Sequence, residues 1–107
     1  MKVFLIYITA GDRDEAKAIA RALVKERLCA CANVIEGVSS IFWWEGELQE
    51  GAEAIVLAKT WEDLVERVIA RVKELHSYEC PCVVAWQVEK GNKGYLEWVE
   101  GSLGRKK

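Results

Sequence analysis

From Cys29 to Trp44, and again from Glu47 to Lys59, the chain carries long runs of β-branched and aromatic residues separated only by Glu45-Gly46. Two strand-like runs around so short a glycine-bearing turn signal a β-hairpin. The sixteen residues of the first run, fully extended, reach roughly 50 Å at about 3.3 Å each. A compact domain of 107 residues has a radius of gyration of only about 13 Å. The hairpin therefore either kinks, with Glu36-Gly37 and Glu50-Gly51 as candidate β-bulges, or projects from the body. A projecting hairpin tipped with Phe42, Trp43 and Trp44 leaves open backbone edges and apolar rings in water. Pairing with other copies of the chain removes both liabilities. Folding the rings back onto their own core is the alternative.

The rest of the chain supplies that core. Val3 to Ile8 is an unbroken apolar run suited to a central strand covered on both faces. Asp12 with Glu15 gives a capping-box-like start, and Ala16, Ile19, Ala20, Leu23 and Val24 form one apolar stripe, predicting a helix that ends near Leu28. Thr60 with Asp63 predicts a second helix start, with Leu64, Val65, Val68, Ile69, Val72 and Leu75 on the buried face of a helix running into His76. Cys82 to Glu89 alternates as a strand, with Val84, Trp86 and Val88 on one side and Gln87 and Glu89 on the other. Beyond Gly91-Asn92, the residues Tyr95, Leu96, Trp98 and Val99 form a short closing helix. The order is βαββαβ plus one helix, an α+β chain of the split-βαβ, ferredoxin-like kind. Residues 1–104 read as one domain and Arg105 to Lys107 as a basic tail.

Composition narrows the function. At 51% hydrophobic residues the chain can bury a core without disulfides. A net charge of −2 opposes the basic stripe that nucleic-acid phosphates demand. Met1-Lys2 followed by Val3 to Ala10 resembles the start of a secretory signal, but no small-residue cleavage site follows and the helix start comes at once. Four cysteines without such a signal favour a reducing compartment, and the expectation is a cytoplasmic protein. No apolar run approaches the ~20 residues needed to cross a bilayer.

The only histidine and the only proline lie together in Leu75-His76-Ser77-Tyr78-Glu79-Cys80-Pro81, where the helical pattern gives way to the strand pattern. Imidazole is the commonest protein metal ligand, and Glu79 offers an oxygen beside it. Equally, a helix C-terminus favours a histidine through the helix dipole alone. Two Cys-x-Cys pairs, Cys29 with Cys31 and Cys80 with Cys82, could each place both thiols on one side of a strand. A disulfide within either pair would strain the backbone. The pairs belong to opposite sheet edges, so they meet only between subunits, where thiolates suit a soft or borderline metal such as Cu(I) or Zn(II). Small buried or surface cysteines are the other reading. The candidate metal set is His76, Glu79, Cys80 and Cys82, with copper or zinc as the ion.

The stretches Glu26-Arg27-Leu28-Cys29-Ala30-Cys31-Ala32-Asn33, Trp44-Glu45-Gly46-Glu47, Leu57-Ala58-Lys59-Thr60, Lys73-Glu74-Leu75-His76, Tyr78-Glu79-Cys80-Pro81 and Asn92 to Trp98 together resemble the CutA family of divalent-cation tolerance proteins, in order and spacing, from Val3 to Val99. The resemblance implies a tight homotrimer whose extended strands pair across interfaces. It also implies a role in tolerance of copper and other divalent metals, and no enzymatic activity. The family positions that carry over are Trp44, Lys59, His76, Tyr78, Glu79 and Pro81, lining an inter-subunit cleft. Ser77 stands where the family usually has proline. Ile8 and Leu75 replace a cysteine and a second histidine found in some copper-binding members, leaving His76 alone of that set.

The family's likeness to the trimeric PII signalling proteins implies an alternative, a ligand sensor or scaffold. Lys59 would then attract a small anionic group while Trp44 or Tyr78 packs on its apolar part. Catalysis is not expected, because no nucleophile stands beside a base and Thr9-Ala10-Gly11-Asp12 is no arginine-bearing phosphate cradle. RNA binding is not expected either, since Ala54 to Ala58 lacks stacking aromatics.

Overall fold

The computed structural model describes residues 2–104; the basic tail at 105–107 lies outside them. Strand β1 (Val3–Ala10) leads through helix α1 (Arg13–Lys25) into the hairpin of β2 (Cys31–Trp44) and β3 (Glu47–Trp61). A single 3₁₀ turn (Glu62–Leu64) precedes helix α2 (Val65–Leu75), followed by β4 (Val83–Gln87) and helix α3 (Lys93–Ser102). The strands form one antiparallel sheet in the order β2-β3-β1-β4, which is the expected α+β, split-βαβ arrangement.

The core follows from strand alternation. Ile6, Ile8 and Ala10 of β1 and Ala54, Val56 and Ala58 of β3 are buried on one sheet face, with Ile19 and Leu23 of α1 and Val68 and Val72 of α2 in the same cluster. Asp12 caps α1 as expected, its carboxylate accepting the Glu15 N–H at 2.8 Å. The helix stops at Lys25, short of the expected end near Leu28. Arg27 takes a left-handed conformation (φ 62°), the Arg27 N–H donates to the Val24 carbonyl at 3.0 Å and the Leu28 N–H to that of Leu23 at 2.9 Å. This Schellman-type closure turns Leu28 into the core while ending the helix.

The hairpin projects. The described chain measures 49 × 25 × 22 Å, and at the far end Ile41 is 65% and Trp43 72% exposed, so the rings do not fold back onto the subunit's core. The expected kink occurs only in β2, where the register shifts between Ile35 and Val38 and Gly37 has φ 73°. Gly51 pairs in register with Ser40 and needs no bulge. At the tip Glu45 (φ 49°) and Gly46 (φ 81°) are both left-handed, the type I′ geometry whose twist matches the strands.

Two local expectations fail, the helix start at Thr60 and the full length of the fourth strand. Thr60 does not cap a helix, because β3 continues through it to Trp61. Its side chain is fully buried and its hydroxyl donates to the Leu28 carbonyl at 2.6 Å, fastening β3 to the α1–β2 connection. In β4 it is Val83 and Ala85 that pack on the core, while Val84 and Trp86 are half exposed on the other face. Pairing with Tyr7 and Leu5 of β1 fixes that phase, and the Trp86 ring lies 6.5 Å from that of Tyr7. β4 is also shorter than its pattern, so Cys82 and Val88 flank it.

Thr60→Val keeps the shape of the side chain but strands the Leu28 carbonyl. Chemical denaturation should show a loss of about 1–3 kcal/mol, with an unchanged denaturant slope.

Candidate functional site

The loop that follows α2, residues 76–82, is tied to the turn between β1 and α1. His76 ends α2, its N–H donating to the Val72 carbonyl at 2.9 Å before the backbone turns extended. Its side chain points inward with 0% exposure. Nε2 lies 2.6 Å from the Thr9 carbonyl, and Nδ1 accepts the Tyr78 N–H at 3.0 Å. A carbonyl only accepts and an amide N–H only donates, so these partners place the proton on Nε2 of a neutral ring. Both nitrogens are thus engaged within the chain, and His76 works as a brace between β1 and the loop.

Glu15 is the second fastening. One carboxylate oxygen accepts the Gly11 N–H at 2.9 Å and the other accepts the Ser77 N–H at 2.7 Å, 3.6 Å from His76 Nδ1. A Cβ on Gly11 would meet that first oxygen at 3.2 Å, so glycine lets the turn and the loop approach. Burial opposes the charged form of Glu15, yet the bonds from Gly11 and Ser77 prevail and hold the carboxyl below its ordinary value of 4.5. Tyr78 makes the third link, its hydroxyl donating to Glu53 of β3 at 2.7 Å. Burial, that bond and the charges of Glu53, Glu15 and Asp12 push the phenol up to about 12.

Between the loop and the hairpin lies a cleft of about 690 Å³. The hairpin contributes Ile41, Phe42, Trp44 and Glu53, and the loop contributes Tyr78, Glu79, Cys80 and Cys82. Trp44, Tyr78 and Glu79 of the expected set therefore meet here, although 35 positions separate Trp44 from Glu79, together with two of the four cysteines. His76 lies behind the wall. Lys59 is absent from the cleft; it donates to Asn33 on the neighbouring strand.

The cysteines separate by position. All four are free thiols. Cys29 precedes β2 in the core, where burial pushes its thiol up to about 12, and Cys31 contacts the Tyr95 hydroxyl of α3 at 3.1 Å. Cys80 and Cys82 are exposed and precede β4 instead of lying on it. Among the described residues no group of three or more His, Cys, Asp or Glu side chains comes close enough to hold a metal ion.

The family model for the CutA1 divalent ion tolerance protein matches residues 4–102. The chain belongs to the CutA family. It is 40% identical over 100 residues to the divalent-cation tolerance protein CutA of Thermus thermophilus, covering 94% of this chain and 97% of that one. It is 37% identical over 98 residues to the chloroplastic CutA 1 of Oryza sativa, but spans only 55% of that protein's length. Among solved structures, CutA of Xylella fastidiosa superposes with a TM-score of 0.93 at 36% identity, covering 96% and 99% of the two chains. The periplasmic CutA of Archaeoglobus fulgidus superposes with 0.91 at 37% identity, covering 94% and 98%.

Sequence reasoning missed Glu15 and Glu53. Glu15 carried only the mark of a helix start, and Glu53 sits in a polar stretch of the hairpin with nothing to set it apart. Their partners lie 62 and 25 residues away, a proximity that belongs to the CutA fold and has no local signal.

Because the folded Glu15 carboxyl lies below 4.5, its stabilisation is present above that pH and is lost as pH falls through the lowered value. Thermal melts should show wild type losing stability in this acid window. Glu15→Gln should melt lower at neutral pH and depend less steeply on acid.

Proposed function

We propose that this CutA chain serves in divalent-cation tolerance as a non-catalytic homotrimer that binds metal ions weakly at clefts shared between subunits. The carrying observation is that Glu79 and the exposed thiols of Cys80 and Cys82 share one wall of the cleft beneath the projecting hairpin. Thiolate and carboxylate donors suit zinc or copper. The donor set of one chain is incomplete, since no three ligating side chains converge among the described residues, so a stable site needs donors from a neighbouring copy. His76 adds no donor in this geometry, because both its nitrogens are spent.

The trimer reading rests on the hairpin. Ile41, Trp43, Trp44 and Leu48 are all more than half exposed, and each apolar Å² buried against another copy contributes about 25 cal/mol. Residues 1–104 form one domain in this reading, and the cytoplasm is its expected compartment, because free thiols persist under reducing conditions. An anionic ligand finds no support in the cleft, from which Lys59 is absent.

Light scattering should give about three times the 12.1 kDa chain mass; a monomer mass at working concentration overturns the assembly. In calorimetric titration of the reduced protein with zinc, Cys80→Ser/Cys82→Ser should weaken binding by about tenfold or more. Unchanged heats in that variant overturn the metal site.

A further inference from the structure

The backbone of the 76–82 loop hangs on a nitrogen that a proton can claim. Nδ1 of the neutral His76 ring accepts the Tyr78 N–H at 3.0 Å, Glu15 Oε2 lies 3.6 Å from the same nitrogen, and Nε2 is engaged by the Thr9 carbonyl. These groups belong to one subunit and the His76 side chain is already wholly buried within it, so no neighbouring copy is needed to form the arrangement. Around the ring, β1 presents the Thr9 carbonyl, α1 presents the Glu15 carboxylate, and the Tyr78 ring packs at 4.6 Å between centroids. Beyond it, Glu53 of β3, Glu15 and Asp12 act on the Tyr78 phenol. Lys73 and Glu74 in the last turn of α2 are exposed, and β4, against which α2 also packs, carries no charged residue.

We propose that His76 is a proton-operated latch on the 76–82 loop, in which a proton taken from solvent onto Nδ1 turns the acceptor of the Tyr78 N–H into a donor to Glu15 and frees the loop. One hydrogen bond breaks, from the Tyr78 N–H to Nδ1, and one forms, from Nδ1–H to Glu15 Oε2. The bond from Nε2–H to Thr9 is kept. Two donors cannot share the 3.0 Å between the Tyr78 nitrogen and Nδ1, and an unpaired amide shielded from water is unfavourable, so the backbone at Tyr78 must move. Burial opposes the charged form of Glu15, but the bonds from Gly11 and Ser77 keep it ionised where an imidazole titrates. The receiving group is therefore ready. Movement of Tyr78 loosens its hydroxyl tie to Glu53, and with it the hold on Glu79, Cys80 and Cys82. This inference stands apart from the metal reading, since it needs neither metal nor thiolate.

His76 is the chain's only histidine, so nitrogen-15 placed in the imidazole reports this ring alone. The test is nuclear magnetic resonance of the metal-free, reduced protein from about pH 8 to about pH 5, the interval in which imidazoles change charge. The expected result is a proton on Nε2 of the neutral ring at the alkaline end and conversion to the imidazolium on acidification. Protection of the Tyr78 amide against hydrogen exchange should fall at least about tenfold across the same midpoint. Glu15→Gln should lower that midpoint by about one pH unit, a tenfold loss of proton affinity. A ring that stays neutral to the acid end overturns the proposal, as does a neutral ring with its proton on Nδ1. An imidazolium with unchanged Tyr78 protection, or a midpoint indifferent to Glu15→Gln, overturns it equally. The wild-type exchange measurement decides the matter even where Glu15→Gln does not fold.

Discussion

The ladder between β2 and β3 runs far past the body it belongs to, and much of the molecule is organised around that excess. Near the core the pair is covered by α1 and carries Val56 and Ala58 into the interior. Beyond the bulge at Ile35 and Val38 the same ladder continues to the Trp44–Glu47 pair with no second layer. Backbone hydrogen bonds satisfy the inner edges of the two strands, but they bury no apolar surface there. The hairpin is therefore ordered by pairing and left unfinished by packing, which is the condition for completion by another molecule.

The cleft exists because a second element is held rigidly against the base of that hairpin. The 76–82 loop is short of apolar residues and would wander on its own account. Three polar contacts restrain it: His76 to Thr9, Glu15 to Ser77, and Tyr78 to Glu53. Each joins a loop residue to a different element, so the loop is positioned by β1, α1 and β3 together. A histidine that looks like a ligand in sequence serves instead as a fastening. The thiols and the carboxylate beyond it, at Glu79, Cys80 and Cys82, are the groups left facing outward.

Much of the fold was legible. The type I′ turn at Glu45-Gly46, the Asp12 cap, the apolar stripe of α1 and the projecting aromatics all depend on local chemistry or on simple length, and the structure places them as the sequence implied. Thr60 was misread because a T-x-x-D spacing marks a helix start only when the residue is free to cap; here the β1 partner of β3 holds Thr60 in the ladder opposite Phe4. Alternation put Val84 and Trp86 on one face of β4 but left open which face meets the core, and it is Val83 and Ala85 that do. The site was less legible than the fold. Tyr78, Glu79 and Trp44 could be chosen by resemblance to CutA proteins, whereas Glu15 and Glu53 could not, and Lys59 does not line the cleft of the single chain.

Taken alone, the order of residues settled the succession of strands and helices, the tight turn, the family and the surplus length of the hairpin, since periodicity, turn chemistry and reach are properties of neighbours along the chain. Tertiary packing decided the phase of β4, the burial of Thr60, the inward turn of His76 and the acidic, aromatic character of the cleft. Those outcomes depend on which distant groups arrive within hydrogen-bonding distance, and that proximity arises only when the sheet closes.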